Sequence, residues 1–237
     1  MSTYIYAILP ADRPLNLDGL QGVGKEPTAL RTLSSDKLTA VVSEAPEDLR
    51  AKRRDVLAHQ AVQERLLADG SVLPMRFGLV GPNDEAVLAE LDAQADAYLH
   101  RLEAIGDCIE YNLKASRDES DLLREVVAES DQVRDLNERT RQNPQAQGDK
   151  VALGQAISQE VERLEKRDAS TVINGLAPLA QQYATADVPQ SHFLNVSFLV
   201  PRASAAAFCD RVDEMAKHLE PVFQLSLRGP LPPYSFV

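Results

Sequence analysis

Tryptophan is absent from this 237-residue chain, aromatic residues make up 5% of it, and it carries only two cysteines and four histidines. Each scarcity removes a class of protein. Cys108 and Cys209 stand a hundred positions apart and cannot ligate an iron–sulfur cluster, so both read as reduced, buried, small hydrophobes. His59, His100, His192 and His218 occur singly, none in an H-E-x-x-H pattern or beside a cysteine at ligand spacing, so no metal site is expected. No apolar run approaches the roughly 20 residues that cross a bilayer. Residues 1–10 lack a basic start and a small-residue cleavage site. A first strand is expected there rather than a signal peptide, and a cytoplasmic location with it. Positive charge is also short: 25 Lys and Arg face 36 Asp and Glu, a net charge of −11. Phosphate backbones are repelled by such a surface, which argues against nucleic-acid binding. The one compact basic cluster, Arg50-Ala-Lys52-Arg53-Arg54, reads as the solvated start of a helix.

What is present points to a mixed α+β chain in two parts. Residues 4–9 alternate as a strand ending at Pro10, and residues 28–33 and 38–43 read as two more. A helix is expected to open at Pro46-Glu-Asp and to run to about Ala68, with Val56, Leu57, His59, Gln60, Val62, Leu66 and Leu67 as its stripe. Residues 72–78 form a strand interrupted by Pro74, which belongs at an edge or a bulge. Asn83 caps a second helix through roughly Leu102, with Val87, Leu88, Leu91, Ala95, Tyr98 and Leu99 facing inward. The turn at Gly106-Asp107 divides an N-terminal unit, residues 1–106, from a C-terminal one, residues 107–237. Beyond it come a strand over 108–114, a charged helix over 118–136 and a mobile connector over 139–148. A long helix to about Tyr183, strands at 193–201 and 222–228, and a helix between them complete the chain. That order suits a ferredoxin-like αβ sandwich with one strand lost or altered, carrying a variable helical insert near 116–150.

Candidate chemistry is sparse. Gly19-Leu-Gln-Gly22-Val-Gly24 reverses the spacing of the dinucleotide fingerprint and leads into no helix, so it reads as a flexible surface loop and no cofactor is expected. No G-x-S-x-G, P-loop or serine–histidine pairing occurs. His59 sits one turn after Asp55, where a bond between them is expected. An enzymatic reading would use His59, Asp55 and Arg76 in a cleft between the two parts. A binding reading uses Arg76-Phe77-Gly78 and Leu79 at the end of the strand marked by Pro74, since an unpaired edge accepts another strand. The last residues, Arg228-Gly-Pro-Leu-Pro-Pro-Tyr234-Ser-Phe-Val237, are too proline-rich and apolar to fray, and Tyr234 and Phe236 are expected at the seam between the two parts.

Taken together, Tyr4-Ile-Tyr-Ala-Ile8, the Gly19–Gly24 loop, His59-Gln60, Leu73-Pro-Met-Arg-Phe-Gly78 and the Gly229-to-Phe236 tail closely resemble the gas vesicle protein F/L family (GvpL/GvpF). Only the region 116–150 has no motif to match. The resemblance implies an accessory or structural protein of gas vesicles, located at the vesicle or in the cytoplasm, with two α+β domains, the second a modified ferredoxin-like fold. It implies contact with the small hydrophobic shell protein, and with other accessory proteins, during assembly. It brings no enzymatic activity, cofactor or membrane partner, and F and L share these motifs.

Overall fold

The computed structural model describes residues 1–26, 28–189 and 191–237. They pack into two compact units. The first is Met1–Tyr111 with Leu199–Arg202 and Gly229–Val237, and the second is Asn112–Phe198 with Ala203–Arg228. The division expected at Gly106-Asp107 thus falls a few residues later, and two downstream segments are counted with the first unit. One of these is the tail.

The first unit is built on β1 (Thr3–Pro10), β2 (Arg31–Ser34), β3 (Leu38–Glu44), β4 (Leu73–Pro74) and β5 (Val80–Gly81). Their order is β2-β3-β1-β4, with β5 also on β1. Every described pairing among them is antiparallel. Pairing of β1 with β3 jumps from Ile5–Val42 to Ala7–Val41, leaving Tyr6 as the extra residue of a bulge. Cross-strand partners share a face, so Ile5–Val42 and Ile8–Ala40 lie on one side, and Tyr4–Ser43 and Ala7–Val41 on the other.

The two faces of β1 meet different helices. On the Tyr4 and Tyr6 side runs α1 (Arg53–Ala68), which buries Asp55, His59, Val62, Gln63, Leu66 and Leu67. That stripe is rotated from the expected one: Val56, Leu57 and Gln60 are exposed, and Asp55 and Gln63 join the expected His59 inside. The helix also starts later than Pro46. Arg13 and Arg202 donate to its final carbonyls, Leu66 O and Leu67 O, which suits the negative end of the helix dipole. On the Ile5 and Ile8 side lie α2 (Asp84–Ala93) and α3 (Ala95–Ile105), a single expected helix broken at Gln94. Asn83 caps α2 by accepting from Ala86 N at 2.8 Å. Val87, Leu91, Leu102 and Ile105 pack there with Ile8, Leu38, Ala40, Val42 and Leu73 as one core.

The remaining elements are β6 (Cys108–Arg117), α4 (Glu119–Glu129), α5 (Asp131–Gln142), α6 (Gln147–Leu176), β7 (Gln182–Thr185), β8 (His192–Pro201), α7 (Ala205–Leu219) and β9 (Phe223–Leu231). The sheet order β7-β8-β6-β9 is that of a ferredoxin-like βαββαβ unit, with α4 to α6 filling the first crossover and α7 the second. The strand thought lost is β7, four residues long and short of apolar alternation. Two further expectations change. The helix over 118–136 breaks at Ser130, whose hydroxyl accepts from Val133 N and starts α5. The connector over 139–148 shrinks to residues 143–146, because α5 continues to Gln142 and α6 begins at Gln147. Leu122, Val126, Val133, Leu136, Ala156 and Leu164 form the core of this helical insert.

Beside that core sits Arg117, whose side chain is 4% exposed. It donates to Asp168 at 2.7 Å and Glu125 at 2.6 Å, tying β6 to α6 and α4. Arg167 extends the network to Glu125 and Glu129. Hydrogen bonds from Arg167 and then Arg117 hold the Glu125 carboxyl below the usual carboxylate range. Such a buried pair adds little net stability over apolar packing, but its geometry fixes which groups must meet. Of the cysteines, Cys108 is buried as expected, whereas Cys209 is half-buried, and both are free.

Two glycines of opposite character test the packing. Gly229 has φ +152°, and a Cβ there would run into the Tyr111 ring and approach Glu110 O at 3.0 Å. Gly229→Ala is expected to destabilise the protein by about 1–3 kcal/mol. Gly154 lies exposed within α6 with open space around it. Gly154→Ala is expected to stabilise by about 0.5–1 kcal/mol. Urea unfolding of both variants checks the pair, and equal effects would contradict the local geometry.

Candidate functional site

Residues 73–81 run along the free side of β1 and supply the candidate binding residues. Met75 N donates to Tyr6 O at 2.8 Å and Ile5 N to Leu79 O at 3.1 Å, so the segment closes that edge. Pro74 stands in the last strand of the sheet order, yet it is buried together with Leu73. The accessible edge lies further on, because Leu79 and Val80 are 43% and 40% exposed. Arg76 is exposed, and its guanidinium makes no ion pair or hydrogen bond among the described residues. Phe77 is half-buried, with its ring edge-on to Tyr4 at 6.1 Å and to His59 at 5.7 Å. Gly78 is exposed and donates its N–H to the Tyr4 hydroxyl at 3.2 Å. Arg76, Gly78 and Leu79 are thus exposed along one short segment, and the half-buried Phe77 packs against Tyr4 and His59.

His59 is occupied structurally. Its Nε2 lies 3.1 Å from Met75 O, a carbonyl that can only accept, so Nε2 carries the proton. Nδ1 is then the acceptor for the Tyr4 hydroxyl at 2.9 Å. A relay follows, from Gly78 N–H to Tyr4 O–H to His59, and on to Met75 O. The ring also stacks on Tyr6, with centroids 5.5 Å apart. Gln63 donates to Tyr6 O. The expected bond to Asp55 is not formed. Asp55, 2% exposed, accepts instead from Gly24 N at 2.9 Å and from Arg54 Nε at 3.0 Å. The hydrogen bond from Arg54 is the main cause holding its carboxyl below the usual range. His59 and Asp55 are therefore held by different partners, and no hydrogen bond among the described residues joins either of them to Arg76.

The glycine loop is likewise part of this scaffold rather than a flexible surface loop. Gly22, Val23 and Gly24 are buried. Val23 N donates to the Tyr6 hydroxyl at 2.8 Å, and Gly24 N to Asp55. A Cβ on Gly22 would come within 2.7 Å of Thr28 O. Amides consumed in this way cannot cradle a phosphate.

The tail packs within the first unit. Ser235 donates its N–H and hydroxyl to the buried Glu110 carboxylate at 2.9 and 2.7 Å. The Tyr234 hydroxyl lies 3.5 Å from His59 Nε2, and burial pushes its pKa up to about 12. Phe236 and Val237 pack on the core shared by Ile8, Leu73 and Leu102. The partners recorded for Tyr234 and Phe236 thus belong to residues 1–111.

Beside the exposed edge lies an apolar groove of about 410 Å³ that the sequence alone did not reveal. Its floor is Ile5 and Ile8, its rim includes Leu79 and Val80, and α2 and α3 contribute Val87 and Tyr98. Glu90 is the one charged lining residue. The only sequence signal was the apolar pair Leu79-Val80 just ahead of the Asn83 cap. Among the described residues no group of His, Cys, Asp or Glu could hold a metal ion, and no helix is long and apolar enough to cross a membrane.

The polar network braces a strand of an α+β fold, beside an apolar groove. The five segments that meet here, residues 4–8, 19–24, 59–60, 73–78 and 229–236, are those carrying the family resemblance. The family model of gas vesicle synthesis protein GvpL/GvpF matches residues 2–237. Gas vesicle protein F of Streptomyces sp. (strain CB03234) is 41% identical over the full length of both chains. Gas vesicle protein L of the same strain is 27% identical, covering 98% of this chain and 91% of that one. The chain belongs to the gas vesicle protein F/L family. Crystal structures of GvpF from Anabaena sp. PCC7120 and Microcystis aeruginosa share the fold, with TM-scores of 0.82 and 0.83 at 21% and 22% identity. They cover 99% of this chain, which spans 95% and 98% of theirs.

The His59 network has a pH signature. Burial lowers the His59 pKa below its ordinary 6.5, against the opposing hydrogen bond to Met75 O. The unfolded chain therefore binds this proton at a pH where the folded one does not. Stability is expected to fall as pH drops below 6.5 toward the lowered value, and to level off above it. Urea midpoints at pH 7.5, 6.5 and 5.5 should show this slope in the wild type and a flatter one in His59→Gln. Parallel profiles would assign the slope to other groups.

Proposed function

We propose that this protein is a non-catalytic accessory of gas vesicle assembly that binds the small hydrophobic shell protein at the surface formed by residues 76–80. Membership of the family supplies the setting, and the resemblance described above supplies the client. The observation that carries the reading is the exposed pair Leu79 and Val80 beside an apolar groove, on a chain that is otherwise strongly acidic. An apolar client gains burial at about 25 cal/mol per Å² of covered apolar area, less the cost of association. The acidic remainder keeps the complex dispersed. Arg76 and Gly78 border the contact, and Phe77 holds the segment in place from below.

The higher identity to the F than to the L protein of one Streptomyces strain favours an F-type role. An enzymatic role for His59, Asp55 and Arg76 draws no support from their partners, since the hydrogen bonds of His59 and Asp55 all serve the scaffold.

Co-expression with the shell subunit tests the proposal. Leu79→Asp places a charge on an exposed position and should leave the unfolding free energy from urea titration within about 0.5 kcal/mol of wild type. The folded variant is expected to leave the shell subunit insoluble under conditions where wild type keeps it dispersed. If the variant folds and performs as well as wild type, the surface is misplaced.

A further inference from the structure

Resting on the reading that this edge receives a client, we infer that the groove selects an extended apolar segment carrying a lysine or arginine. The segment lies along β5, sets an apolar side chain into the groove and brings its cation to Glu90.

Three features point to this occupant. The first is backbone register. Thr3 pairs with Gly81 and Tyr4 with Val80, and Ile5 N donates to Leu79 O. In an antiparallel ladder hydrogen-bonded pairs alternate, so Leu79 and Gly81 turn their backbone groups toward β1 and Val80 turns its N–H and C=O away. No strand pairs with β5 on that side among the described residues. Pro82 follows at once and has no N–H to continue a ladder, so backbone pairing there is short. Side chains must supply the rest of the recognition.

The second feature is the groove, whose floor and walls of Ile5, Ile8, Met75, Val87, Leu91 and Tyr98 offer aliphatic carbon, a thioether and a phenol. Residues alternate in a strand, so a chain paired along Val80 presents every second side chain to one face. This is the arrangement by which added strands are read: main-chain bonds hold them, and pockets sort their side chains.

The third is charge. Glu90 is exposed on α2, and its carboxylate makes no ion pair or hydrogen bond among the described residues. Cations that might have neutralised this end of the unit are engaged elsewhere, Arg31 with Asp84 at 2.7 Å and Lys37 with Asp96 at 3.4 Å. Glu90 sits close enough to Tyr98 to raise its phenol pKa, second only to burial; the influence of Arg101 runs the other way, and Arg101 forms no ion pair with Glu90. A lone carboxylate on an apolar rim repels an acidic segment and attracts a cationic one. The net charge of −11 acts in the same direction.

The test uses the full chain, isotopically labelled, and two capped synthetic peptides of alternating leucine and threonine, one ending in lysine and the other in glutamate. The lysine peptide is expected to shift the amide signals of Val80 and Gly81. At low salt it should bind about threefold to tenfold more tightly than the glutamate peptide, a preference that weakens as salt is added. Glu90→Gln should erase the preference and Glu90→Lys should invert it, with both variants keeping the wild-type urea midpoint. Shifts confined to other segments, equal binding of the two peptides, or no binding at all would overturn the inference. The parent reading is tested separately: if Leu79→Asp loses the shell subunit while the peptides show no charge preference, the client site stands and only its selectivity is wrong.

Discussion

Strand β1 is closed on every side, and most of the first unit follows from that. Its faces are covered by α1 and by α2 with α3, one edge is paired to β3, and the other is sealed by residues 73–81. Thr3, Tyr4, Tyr6, Ala7 and Leu9 are fully buried. Two phenol hydroxyls and the carbonyl of the bulged residue are thereby taken out of water, where an unpaired polar group costs about 1–3 kcal/mol. The surroundings meet that demand residue by residue. His59 accepts from Tyr4, Gln63 donates to Tyr6 O, and the amide of Val23 donates to the Tyr6 hydroxyl. The glycine loop, the polar stripe of α1 and the strand-end Gly78 are all answers to one buried strand.

That same strand separates two roles by alternation that the bulge at Tyr6 resets, returning Ile8 to the face of Ile5. Tyr4 and Tyr6 point into the polar scaffold, while Ile5 and Ile8 floor the apolar groove. Because the side-chain period is two, a one-residue slip of β1 would exchange the faces, placing tyrosines in the groove and isoleucines against His59. The bulge at Tyr6 is the point where the register is set. Arg117 plays a comparable fixing role among β6, α4 and α6, where its two carboxylate partners admit one arrangement of those elements.

Much of this architecture was legible in the sequence, and the remainder was hidden for identifiable reasons. Alternation located β1, β3, β8 and β9, and helical spacing located α2, α3 and α7, because those patterns are local. The Asn83 cap could be read from one residue. Hidden features depended on distant partners. Asp55 looked like the partner of His59 from helix spacing, but Gly24 and Tyr4, remote in sequence, outcompeted that contact. The Gly19–Gly24 segment looked flexible because nothing local shows that its amides meet Tyr6 and Asp55. Strand β7 lacks an apolar pattern, since three of its four residues are exposed. In the candidate site, Arg76 to Leu79 were named from sequence, yet Pro74 misdirected the accessible edge. The groove escaped notice because its lining comes from five separate elements, β1, β3, β5, α2 and α3.

The docking of residues 229–237 onto residues 1–111 bears on how the chain is made. Synthesis is vectorial, at about 5–20 residues per second, and domains ordinarily close as they emerge. Here the first unit leaves the ribosome early but lacks Tyr234, Phe236 and the serine that satisfies Glu110 until all of residues 112–228 have followed. For that interval its core stands partly uncovered. Any contact the first unit makes during synthesis is thus made by an incomplete fold rather than a finished one.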